Sequence, residues 1–185
     1  MGVPPLARAG LMLWIVLSAG SLLPPVAAQA AAPREEADLL EMVREVGVTV
    51  DLMPSCGGPG QLATYNMGAN RLCLSQGLLA RPAERDRVIH HELVHVVQDC
   101  LDGLGTPTSS TLAEGFRRSG SLSDAQINRF FLTYLRQQNN LQHVVATTAL
   151  LPLDSRQREI EAYALQGDPA LVEHLLQTSC RALRP

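Results

Sequence analysis

The chain carries the run His91-Glu92-Leu93-Val94-His95, two imidazoles four residues apart with a carboxylate directly after the first. On an α-helix, four residues advance a side chain by one turn and about 40° more, so both rings stand on consecutive turns of one face and reach a single metal ion. Glu92 lies about 100° from His91, beside such an ion and not on it. That is where a general base belongs, because a carboxylate bound to the metal has no lone pair left to take a proton from water. The chemistry expected is hydrolysis by water that a zinc ion acidifies, with His91 and His95 as ligands and Glu92 as base. A catalytic zinc takes three protein ligands and keeps a fourth position for solvent, so a third ligand has to come from another element.

Two glutamates compete for that place. Glu114, in Leu112-Ala113-Glu114-Gly115-Phe116, follows His95 after eighteen intervening residues, and Glu159, in Arg158-Glu159-Ile160-Glu161-Ala162-Tyr163, after sixty-three. Thr111-x-x-Glu114 reads as a capping box, whose glutamate bends back to the Thr111 amide and is less free to bind metal. Glu159 lies more than a turn into its helix, with small Ala162 permitting close approach and Tyr163 one turn on, placed to orient a ligand. Glu159 is favoured, and Glu114 stays open. Glu161, about 200° around the helix from Glu159, should face away from the metal. His143, Tyr134 and Tyr163 are candidates for steadying an oxyanion, although a surface position is the plainer expectation for His143 and for His174.

These residues need elements to hold them. A helix is expected over residues 82–101, with Pro82 in its first turn, Glu84 and Asp86 at its positive end and Gly103 as its stop. Ile89, Leu93, Val96, Val97 and Cys100 share an arc about 140° to 240° from His91, while Glu84, Gln98 and Asp102 share the histidine side. His90, at about 260°, is expected on the surface. Upstream, Leu39, Leu40, Val43 and Val46 mark a helix over 35–46 that Gly47 ends, and Val48, Val50 and Leu52 alternate as one face of a half-buried strand until Pro54. Residues 62–66 and 71–75 should pair as a hairpin across Met67-Gly68-Ala69-Asn70. Downstream each segment opens with a capping signature, at Thr111, Ser123-x-x-Gln126, Asp154-x-x-Gln157 and Asp168-Pro169, with Gly120 and Gly167 as stops. The fold class expected is α+β and mostly α: a small antiparallel sheet, one metal-binding helix and a helical C-terminal half.

Residues 1–30 have the three-part plan of a signal peptide: Arg8, an apolar run from Leu11 to Leu23, and small residues at Ala28 and Ala30 before the expected cleavage. The run is shorter than the roughly 20 apolar residues a spanning helix needs, and Pro24-Pro25 stops it. The mature domain is therefore 31–185, secreted or periplasmic, with no membrane contact after cleavage. It keeps all four cysteines, and an even count in an exported chain reads as disulfides. Of three pairings, Cys56 with Cys73 and Cys100 with Cys180 is favoured, the first closing the glycine-rich excursion and the second tying the metal helix to the chain's end. The formal net charge of −3 and the lack of any basic run argue against nucleic acid. All 15 basic residues are Arg, which excludes lysine Schiff-base chemistry.

The wider pattern, His91-Glu92-x-x-His95-x-x-Gln98-Asp99-Cys100 followed by Glu159-x-Glu161-Ala162 and a late Leu175-x-x-x-x-Cys180, resembles small exported gluzincin-type metallopeptidases of cyanobacteria and their phages. The resemblance spans about 88–180. It implies a zincin-like fold, Glu159 as the third zinc ligand and a Cys100–Cys180 bond. Glu114 sits in a Glu-Gly-Phe run like the ligand of large aminopeptidases, but about 155 residues cannot hold those families' extra domains. The expected function is hydrolysis of a peptide bond in a peptide or protein substrate. The alternative is an exported zinc-binding or interaction module without catalysis, stapled by disulfides, in which His143 or Glu114 closes a four-ligand shell.

Overall fold

The computed structural model describes residues 36–106, 110–138 and 140–180, so the expected signal segment, 1–30, lies outside them. The first helix, α1 (Glu36–Glu45), buries Leu39, Leu40, Met42 and Val43, with acidic Glu36 and Asp38 at its start and Arg44 in its last turn. Gly47 stops it at φ +98, and the Gly47 and Val48 amides return to the carbonyls of Arg44 and Val43. This pair of bonds needs a left-handed residue, which is why a glycine stands there.

Three strands follow: β1 (Thr49–Met53), β2 (Ala63–Asn66) and β3 (Arg71–Ser75). β2 and β3 pair antiparallel across the turn Met67–Ala69, with Tyr65 opposite Leu72, as the sequence implied. The sheet as a whole is not antiparallel. β1 pairs parallel with β3, Thr49 opposite Arg71, and the order is β1-β3-β2. The glycine-rich excursion carries the chain past one strand position before β2 begins, and β3 returns into the gap. The Cys56–Cys73 disulfide fastens that excursion to the central strand. Leu52, expected on a half-buried face, is 55% exposed. β1 is an outer strand, and α3 packs on β2 at the opposite edge, so the far end of β1 lacks that cover.

After one turn of helix, α2 (Gln76–Leu79), capped by Ser75, comes α3 (Pro82–Cys100) with Pro82 at its start. From Ile89 to Cys100 every residue of α3 except His91 is buried. Helices α7 (Leu153–Leu165) and α8 (Pro169–Ser179) pack against it, and so does β2, so α3 runs through the centre of the domain. His90, expected at the surface, is therefore buried, its ring hydrogen-bonded to the Gln166 main chain. A helix covered on several sides has no solvent direction at 260°.

The other helices are α4 (Leu112–Ser119), α5 (Asp124–Gln137) and α6 (Leu141–Thr148). Gly120 ends α4 at φ +65, and Asp168 caps α8 through the Leu171 amide. Asp154 does not cap α7; Pro152 holds that position and Asp154 is the helix's second residue. Gly167 has no left-handed φ either. A Cβ there would meet the Gln138 side chain at 2.9 Å, so the glycine makes room for a neighbour. The Cys100–Cys180 bond joins the ends of α3 and α8. The result is a mostly helical α+β arrangement with a small mixed sheet. Among the described residues, no helix is long and apolar enough to cross a membrane.

Candidate metal centre

α3 presents His91 and His95 toward α7, and α7 answers with Glu159. Ala162 and Ala164, both fully buried, have no bulk to hold α7 away from its neighbours. His91 Nε2 lies 3.2 Å from Glu159 Oε2, and His95 Nε2 lies 3.4 Å from Oε1. One ligand atom from each of the three side chains falls within 4.8 Å of the others. Two atoms each 2.0–2.1 Å from a tetrahedral ion stand about 3.3–3.4 Å apart, close to the two histidine–glutamate separations, so the group could hold one divalent metal. The imidazoles are nearly enclosed, while the Glu159 side chain is 33% exposed and opens the site to solvent.

The electrostatics suit a cation. Burial alone would raise the Glu159 carboxyl, but hydrogen bonds and charge from His91 and His95 hold it far below the usual carboxylate range. Burial alone would lower His95, but the bond to Glu159 and the charges of Glu92 and Glu159 raise it above the usual imidazole value.

The surrounding shell orients these groups. Gln98 Oε1 lies 2.8 Å from His95 Nδ1, and Gln98 Nε2 donates to Glu161 Oε2 at 2.9 Å and to the Arg158 carbonyl at 3.2 Å. Glu161 also accepts from the amides of Leu112 and Ala113, at the start of α4, and from Gln157. The Tyr163 ring packs edge-on to His91 at 4.6 Å and to His143 at 5.6 Å. Glu92, beside the metal group, accepts the Tyr65 main-chain N–H at 2.7 Å through Oε2. The Tyr65 hydroxyl donates to Asp99 at 2.7 Å, and burial together with that carboxylate pushes the phenol well up.

The competing candidates are placed elsewhere. Glu114 accepts the Thr111 amide at 2.7 Å and gives its own amide to Thr111 Oγ1, the expected capping box, and is not in the metal group. The Tyr134 hydroxyl is bound to Asp168, which raises it together with burial. His143 is exposed. Glu161 does not join the metal group, as expected, but it is fully buried at the start of α4 and contacts Gln98, a role that sequence reading missed. Gln98 was visible as a polar residue on the histidine face; nothing in the spacing of Glu161 announced its partners. No protein-family model, curated protein or solved structure matches the chain.

Proposed function

We propose that this protein is an exported zinc-dependent peptidase of zincin type. The observation that carries the reading is the convergence of His91, His95 and Glu159 within 4.8 Å, with Glu92 beside the two histidines on α3. His91, His95 and Glu159 would hold the ion, and a bound zinc would supply a Lewis acid that polarises the scissile carbonyl and acidifies water. Glu92 takes the proton of the attacking water and passes it to the leaving amine. The Tyr65 amide holds Oε2 of Glu92, which assigns the proton transfer to Oε1. An extended peptide adds to the outer edge of β2, antiparallel to it. A cavity of about 530 Å³ beside Met67, walled by Glu114, Gln157 and Arg158, takes a substrate side chain. The Tyr163 hydroxyl is engaged by Thr147, so His143, exposed beside it, is the better oxyanion donor.

Three ligands leave a fourth position for solvent, which favours catalysis over a closed structural site. The two disulfides, which persist in oxidising compartments, support export to the periplasm or the exterior. Elemental analysis and peptide-hydrolysis assays of the purified protein test the reading together. One zinc per chain is expected, with activity lost on chelation, and Glu92→Gln should retain zinc while losing hydrolysis. A wild-type protein without affinity for zinc, or a Glu92→Gln variant as active as wild type, overturns it.

A further inference from the structure

Gln98 sits between a metal-ligand histidine and a buried carboxylate, and the donor inventory permits one arrangement of its amide. Its side chain meets three partners: His95 Nδ1, Glu161 Oε2 and the Arg158 carbonyl oxygen. The carbonyl can only accept. Glu161 Oε2 already takes the Leu112 amide, and Oε1 takes the Ala113 amide and Gln157 Nε2, so the carboxylate is surrounded by N–H donors and acts as acceptor toward Gln98 as well. The NH₂ end of Gln98 must therefore face Glu161 and Arg158. Its Oε1 must face His95, and an amide oxygen there requires the proton on Nδ1.

We infer that Gln98 and Glu161 are positioning residues that lock His95 in its Nδ1–H tautomer and so leave Nε2, the atom facing Glu159, with a lone pair for metal. The inference rests on the zinc reading for its purpose and not for its geometry. Gln98 is fully buried and cannot turn over to water, and Glu161 is fully buried against main-chain amides of α4. The relay thus ties the start of one helix to the ligand geometry of another, through a carboxylate that never touches the metal. It also explains why α7 carries two glutamates two residues apart: Glu159 faces the ion, and Glu161 sets the amide that sets the imidazole.

The test is long-range ¹H–¹⁵N NMR of the histidine rings in the metal-free protein, at a pH high enough to leave His95 neutral, with zinc affinity measured in parallel by chelator competition. Wild type should show neutral His95 as one tautomer with its proton on Nδ1. Gln98→Met, close in size but without an acceptor, should give a tautomer mixture and lower zinc affinity about ten- to a hundred-fold. Glu161→Gln places an amide where Gln98 needs an acceptor and should move the same signals from a distance. Circular dichroism confirms that each variant is folded. If folded Gln98→Met and Glu161→Gln both keep the wild-type tautomer, the relay is refuted. If the tautomer shifts as expected but wild type binds no zinc, the relay stands and the zinc reading falls.

Discussion

The main-chain amide of Tyr65, in the edge strand β2, donates to Glu92 on α3, and the hydroxyl of the same tyrosine reaches Asp99 seven residues further along that helix. One residue thereby fixes the strand to the helix at two levels. Tyr65→Phe keeps the ring and the amide but removes the hydroxyl from Asp99 and Asn70. Asp99 is fully buried, its Oδ1 has no hydrogen-bond partner, and Oδ2 would keep only the Gly105 amide among the bonds described. The substitution should cost about 1–3 kcal/mol, the penalty for an under-satisfied buried polar group, read from urea unfolding. A loss within roughly 0.3 kcal/mol of zero would mean the contact is idle.

The two glutamates once in competition now predict opposite phenotypes. Glu159→Gln should weaken zinc binding at least about tenfold and leave stability near that of the metal-free wild type. Glu114→Gln should leave zinc affinity unchanged, because its carboxylate serves the Thr111 amide, and should lower stability by roughly 0.3–1 kcal/mol, because glutamine still accepts that amide and only the charge at the helix start is lost. Isothermal titration with zinc, beside thermal melts, separates the two; equal effects on zinc would reopen the third-ligand assignment.

The disulfide between Cys100 and Cys180 closes a loop of 80 positions, and that between Cys56 and Cys73 one of 17. On the loop-entropy relation the longer bridge contributes about 4.5 kcal/mol and the shorter about 3 kcal/mol. Paired alanine substitutions at Cys100 and Cys180 should lower the chemical-denaturation midpoint more than paired substitutions at Cys56 and Cys73. The reverse order would show that the sheet excursion depends on its bridge more than the helical half does.

Acid should expose a further dependence. Burial works to raise the Asp102 carboxyl, but hydrogen bonds from Ser110 and Arg118 outweigh it and leave its value below the usual 3.8. A carboxylate depressed on folding stabilises the native state above its unfolded value and loses that contribution as pH falls through the folded one. Asp102→Asn should therefore be less stable than wild type at neutral pH, with the gap closing below about pH 3.8. Urea titrations at neutral and acid pH check the sign; a gap that widens in acid contradicts the assignment.

Helix α3 and its two histidines were legible because they depend on local periodicity, and Glu159 was preferred to Glu114 because a capping box is also local. The hairpin of β2 and β3 and both cysteine pairings were legible for similar reasons. What was not legible depends on where distant elements land. The parallel pairing of β1 with β3 follows from a strand arriving between two others, which period-two alternation cannot express. His90 was assigned to solvent because a helical wheel shows directions and not neighbours, and α3 is covered on several sides. Glu161 is expected from its helix position only to face away from Glu159; that its carboxylate meets the start of α4 depends on where a distant element lands.

β2 has only four residues, and the Tyr65 N–H is turned to Glu92. A long bare strand margin invites copies of a chain to stack edge to edge, whereas a short margin with a donor already engaged offers them little purchase. The same economy that steadies the glutamate thus discourages self-association along this rim, and a guest peptide laid there would depend on its side chains more than on main-chain pairing at Tyr65.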